Sequence, residues 1–182
     1  MSQSIDAAAQ FADRLLSPKS PEKSFRKIAL YLPLERPETF ELVIDGLSWQ
    51  EKIHPRPRNE FRRHTRRTFS ATVLLVIETT LGGSRLIRLA FPARGRNISR
   101  SGLGVIASNY LIPARRENGG DSVEAEPLLV NLERVLEPGT SCLVGLRQSD
   151  GKLCWIAGRI VRKRSLGGKM QELGIQFESR LH

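Results

Sequence analysis

Residues 68–91, TFSATVLLVIETTLGGSRLIRLAF, decide the fold class. The run from Thr68 to Glu78 is rich in β-branched side chains, Gly82-Gly83 follow, and a second apolar run rises from Ser84 to Phe91. Two β-prone runs joined by a glycine pair are a hairpin signal. Downstream, GLGVIAS at 102–108 reads as a third strand, with Tyr110-Leu111-Ile112 as its possible continuation. Pro138-Gly139 then opens a further β region. It holds SCLVGLRQ, a turn at Ser149–Lys152, LCWIAGRIVRKR, a turn at Gly167-Gly168, and ELGIQFES. Six strands with tight turns and no long helix between them predict a closed or nearly closed antiparallel barrel. The block Pro113–Pro127 has charges, glycines and no period, and is expected to be a surface loop. Leu128–Leu136 fits a short helix or a strand equally well.

Upstream of the hairpin the period is 3.6. Apolar residues share one helical face in 4–16 (Ile5, Ala8, Phe11, Ala12, Leu15) and in 38–50 (Phe40, Val43, Ile44, Leu47), where Trp49 is also expected to pack. They do so more weakly in 24–32 (Phe25, Ile28, Ala29, Leu32). The expected organisation is a helical N-terminal appendage over 1–52, an extended linker with an arginine motif over 53–67, and the barrel over 68–182. No apolar run approaches the ~18 residues that span a bilayer, and the first residues carry acids where a signal peptide carries bases. A cytoplasmic protein without a membrane span is expected. The two cysteines, Cys142 and Cys154, have no metal-ligand spacing, and a hairpin centred near Asp150-Gly151 places them out of register for a disulfide.

The chain holds 29 Lys/Arg against 19 Asp/Glu, a formal charge of +10. Residues 1–60 hold 9 of each, so the whole excess lies in the β region. A basic domain beside a neutral segment suits an anionic partner, or carries a solvated basic face. Within it two clusters stand at strand boundaries, where loops present side chains on a rigid scaffold. One is FRRHTRR at 61–67, in which Arg62 with Arg66 and Arg63 with Arg67 recur four apart. The other is NISRSG at 97–102. A guanidinium grips a phosphate or the O6/N7 edge of guanine bidentately and stacks on a base. Asn97 can both donate to and accept from a base edge. Ser99 can donate to a phosphate, and Gly102 admits a close approach or a positive φ. The ligand these groups describe is anionic, planar and guanine-like. Each pattern alone is also ordinary chemistry, of surface ion pairs for the arginines and of a turn for NxSxxG.

From about Phe61 to Glu178 the chain resembles the PilZ domain family, which carries an RxxxR motif before its first barrel strand and [D/N]xSxxG after its second. Leu103-Gly104-Val105, Pro138-Gly139 and Gly174–Phe177 (GIQF) extend the likeness. The resemblance implies a six-stranded barrel that binds cyclic di-GMP, with the RxxxR segment folding over the nucleotide. Carried over by position, Arg62 and Arg66, or Arg63 and Arg67, would contact guanine faces and phosphates. Asn97 and Ser99 would meet a guanine edge and a phosphate, and Gly102 would allow close approach. Three features depart from the family pattern: Pro113–Pro127 reads as an insertion, little chain follows the last strand for a C-terminal helix, and residues 1–60 resemble no accessory domain of the family.

The expectation is therefore a bacterial second-messenger receptor that relays cyclic di-GMP to a protein partner, without enzymatic activity, catalytic residues, metal or cofactor. His54, His64 and His182 are scattered, without a second ligand or a carboxylate at useful spacing. Two rivals remain. One is a nucleotide-independent adaptor, against which the intact motifs argue. The other is a nonspecific nucleic-acid-binding barrel, which would interleave aromatics with bases on one strand face.

Overall fold

A computed structural model describes residues 28–54, 65–81, 85–114 and 129–179. Six strands close the barrel: β3 (Thr72–Leu81), β4 (Arg85–Ser99), β5 (Gly102–Ser108), β8 (Ser141–Arg147), β9 (Leu153–Ser165) and β10 (Met170–Phe177). Their order around the wall is β3-β8-β9-β10-β5-β4, and β4 pairs back onto β3. Every one of these pairings is antiparallel. The protein is thus mainly β, a closed six-stranded barrel with one short helix among the described residues, as the run of strand and turn signals requires. Closure matters physically because it leaves no open edge of unpaired backbone groups.

Alternation fills the interior. Val73, Leu75 and Ile77 of β3 point inward, and so do Leu89, Phe91 and Ala93 of β4. Leu103, Val105 and Ala107 of β5 meet Leu173, Ile175 and Phe177 of β10. In the β8–β9 hairpin Cys142 faces Gly158 and Cys154 faces Leu146, so the two thiols are out of register, and both are free. Burial, helped by the nearby Glu178 carboxylate, pushes the Cys142 thiol up to about 12, which keeps it protonated and unreactive at neutral pH.

The N-terminal part enters the wall itself. Where a weak helical pattern is expected over 24–32, residues Ile28–Pro33 form a strand, β1. It runs parallel to β4 (Ala29 opposite Leu89) and antiparallel to β6 (Tyr110–Pro113). The five consecutive apolar residues Ile28–Leu32 suit a strand covered on both sides. Ala29 and the fully buried Tyr31 join the barrel interior, and Ile28 and Leu30 pack with Leu74, Val76 and Ala90 outside it. Of the stretch Leu128–Leu136, the described residues 129–136 form the two-residue strand β7 (Val130–Asn131), which pairs with β6, followed by a turn closed by Leu136 N–H donating to Leu132 O at 3.0 Å. The expected helix over 4–16 and most of the Pro113–Pro127 loop lie outside the described residues.

The helix expected over 38–50 is present as α1 (Pro37–Ile53). Pro37 sits at its first turn, where no amide donor is needed, and Glu38 favours the positive end of the helix dipole. Its apolar face, Phe40, Val43, Ile44 and Leu47, packs on Ile106 of β5, Met170 of β10 and Leu166. Trp49, expected on that face, is exposed instead, because residues two apart such as Leu47 and Trp49 do not share a helical face. Ile106 lies between the inward-facing Val105 and Ala107, so α1 covers the outer surface of the barrel beside the β4–β5 hairpin.

Candidate ligand-binding face

The β4–β5 hairpin presents NISRSG at its turn. Ser99 pairs with Gly102, and Ser99 Oγ accepts from the Ser101 amide at 3.4 Å, so the motif serine braces the turn. The two-residue strand β2 (Arg67–Thr68) lies along β4, with Arg67 opposite Ile98 and Thr68 opposite Asn97. This pairing carries the arginine-bearing segment to the hairpin: exposed Arg67 stands opposite Ile98, and exposed Arg66 precedes it on the side of the turn. Arg62, Arg63 and His64 lie outside the described residues, as does His182. His54 is exposed and ends α1, its amide donating to Gln50 O at 2.9 Å.

Gly102 is needed for packing of the barrel and not for a positive φ. A Cβ there would sit far inside contact distance of the Ile175 carbonyl oxygen of β10. Gly104 is different. A Cβ on it would meet the Asn97 side chain, with Oδ1 at 2.8 Å. The Asn97 amide therefore lies across a position with no side chain.

Strand register extends this arrangement into a row. Asn97 on β4 faces Gly104 on β5, Gly104 faces Gly174 on β10, and Gly174 faces Arg162 on β9. At about 4.8 Å per strand spacing the row runs ~14 Å from Asn97 to Arg162, and the Asn97 amide lies over Gly104 while the Arg162 side chain lies over Gly174. The row towards the hairpin turn runs Ser99, Gly102, Gln176, Arg159. A flat ligand reaches this stretch of sheet once those two side chains swing aside, because no Cβ then lifts it from the backbone.

A β-bulge supplies the charge. The β4–β5 register shifts between Gly95 and Asn97, so Arg96 and Asn97 both address the outer face. Arg96 is buried, and its Nη1 donates to the fully buried Glu172. Arg162 Nη2 reaches the same carboxylate at 3.3 Å. Arg164 Nη2 lies 2.9 Å from the other oxygen, an ion pair without hydrogen-bond alignment. From α1, Glu51 meets Arg96 Nη2 at 2.7 Å and Glu41 meets Arg94 Nη2 at 2.6 Å. Burial opposes the charge on Arg96, but hydrogen bonds and fields from Glu51 and Glu172 outweigh it and hold its pKa above the ordinary guanidinium value. Around Glu172, three guanidiniums stand against two carboxylates, which leaves a positive surplus beside the glycine floor.

The face thus gathers Arg66, Arg67, Asn97, Ser99 and Gly102, which the motifs single out. It adds Arg96, Gly104, Arg162, Arg164, Glu172 and Gly174. The run Arg162-Lys163-Arg164 is visible in the sequence as a basic stretch, and alternation along β9 separates it: Lys163 turns away to Glu137, with Nζ to Oε1 at 2.6 Å. Among the described residues no group of three or more His, Cys, Asp or Glu is placed to hold a metal ion, and no helix is long and apolar enough to cross a membrane. No family model matches the chain, and no curated protein matches it.

Proposed function

We propose that this chain is a cytoplasmic receptor of the PilZ type. It binds cyclic di-GMP on the outer barrel face and relays that event to a protein partner, and it is not an enzyme. The observation that carries the reading is the row Asn97–Gly104–Gly174–Arg162 with Arg66 and Arg67 delivered to its edge by β2. The row offers an amide for a base edge, guanidiniums for phosphates and bases, and two glycines between them where a planar ring can settle when the Asn97 and Arg162 side chains turn to it. Binding would draw the arginines of 62–67 onto the nucleotide through charge-assisted contacts, and the segment that joins α1 to the barrel would change its position. The position of the aromatic residues argues against general nucleic-acid binding. Of the strand aromatics, Phe91 and Phe177 are inside the barrel, Phe69 packs against its core and Trp155 packs among Leu74, Val76 and Ala90, so the strands carry no outer stacking row.

Calorimetric titration with cyclic di-GMP, beside GTP and cyclic di-AMP, tests the reading. Saturable heat with cyclic di-GMP alone is expected. Arg62→Ala/Arg66→Ala is expected to abolish it, and Asn97→Ala to weaken it about tenfold, the loss of one or two hydrogen bonds to a ligand. A folded protein that gives no heat with any nucleotide would instead be an adaptor whose partner is a protein.

A further inference from the structure

The C-terminal half of α1 and the outer barrel face border an open cleft of about 360 Å³, whose lining includes Trp49, Glu51, Ile53, His54, Arg96 and Arg164. Trp49 is 65% exposed, although the opposite side of the same helix buries Phe40 and Leu47. A tryptophan left in water beside two guanidiniums needs a reason, and the rest of the lining supplies one. The indole offers a face on which a base stacks. The Glu51 carboxylate only accepts hydrogen bonds, which suits the adjacent N1–H and N2–H donors of guanine. Guanidiniums only donate, which suits guanine O6 and N7. Adenine reverses this pattern, with a donor at N6 and an acceptor at N1.

The cleft adjoins the glycine-floored row. Arg96 is the chain neighbour of Asn97, and Arg164 stands two residues from Arg162, about 7 Å along the strand. A ligand with two bases can therefore lie across both. Arg164 lines the cleft, and its side chain is 36% exposed, so its guanidinium reaches the solvent side of the ion cluster.

We infer that this cleft receives one guanine base of the ligand. Trp49 stacks on its face, Glu51, whose Oε1 is held by Arg96, reads its N1/N2 edge, and Arg164 faces O6 and N7. The assignment rests on the cyclic di-GMP reading above. It makes α1 part of the site and places guanine specificity on a helical carboxylate.

The test uses the full chain. Trp155→Phe leaves Trp49 as the single tryptophan, since the chain has two. Titration with cyclic di-GMP is expected to quench Trp49 emission in step with calorimetric saturation. In the otherwise native chain, Trp49→Ala is expected to weaken binding at least tenfold, and its exposure means that the fold survives the change, as circular dichroism will register. Glu51→Gln is expected to weaken cyclic di-GMP and narrow its preference over cyclic di-AMP. If the native chain binds cyclic di-GMP while Trp49 emission stays flat and Trp49→Ala binds normally, the base pocket is overturned and the receptor reading stands. If the native chain gives neither heat nor quenching, the receptor reading falls and the pocket falls with it.

Discussion

Gly102 and Gly104 look alike in the sequence and do different work. Gly102 abuts a backbone carbonyl, that of Ile175, which cannot move without parting β5 from β10. Gly102→Ala is expected to destabilise the protein by roughly 1–3 kcal/mol, the usual cost of overpacking, and to lower its melting temperature by several degrees. Gly104 abuts the Asn97 side chain, which can rotate away. Gly104→Ala should leave the melting temperature nearly unchanged and weaken nucleotide binding by displacing the Asn97 amide and raising the floor. Thermal unfolding and calorimetry on both variants separate the two roles. An equal loss of stability would show that Gly104 is also a packing residue. The pattern NxSxxG is legible from residue letters alone. The reason for its last glycine is not, because Ile175 lies 73 residues further along the chain.

Between elements, the ion cluster under α1 is the main polar joint. Glu172 of β10 is fully buried and holds Arg96 of β4 and Arg162 and Arg164 of β9, while Glu51 ties α1 to Arg96. Removing one member of a buried ion pair strands the others. Glu172→Ala is therefore expected to cost roughly 2–4 kcal/mol in urea unfolding, moderated because Arg162 and Arg164 still reach water. A change below about half a kcal/mol, the usual size of a surface effect, would mean that the guanidiniums rearrange freely. In α1 the apolar period was legible because Phe40, Val43, Ile44 and Leu47 recur on one face. The strand β1 was not. Ile28–Leu32 is apolar at every position, so period 2 and period 3.6 fit equally, and only the empty place between β4 and β6 selects the strand.

For the molecule as a whole, the barrel wall depends on residues far upstream of its first long strand. Beyond Gly95, β4 is covered on that flank by β5, but along Arg88–Ala90 its neighbour is β1. A chain that begins at Pro55 lacks β1 and α1. It loses Ala29 and Tyr31 from the interior and uncovers Ile106 and Met170. Losing a fully buried aromatic side chain alone costs about 3–5 kcal/mol, much of the ~5–15 kcal/mol that holds an ordinary domain together. That shortened chain is expected to show no cooperative thermal transition by circular dichroism. A sharp transition like that of the full chain would mean that the six strands fold without the N-terminal part.

Local order along the chain was enough to establish much of this protein. β-branched runs, turn glycines and strand-length spacing announce six antiparallel strands, because alternation and turn chemistry are properties of neighbouring residues. The arginine cluster and NISRSG are legible as motifs because both stand at strand ends. Tertiary structure alone decided that Ile28–Pro33 is a strand of the wall and that Gly104 and Gly174 are neighbours. It also decided that Arg96, Arg162, Arg164, Glu51 and Trp49 surround one corner of the barrel. Those juxtapositions depend on register across β4, β5, β10 and β9 and on where α1 docks. Both are fixed by cross-strand pairing and core packing between residues distant in sequence.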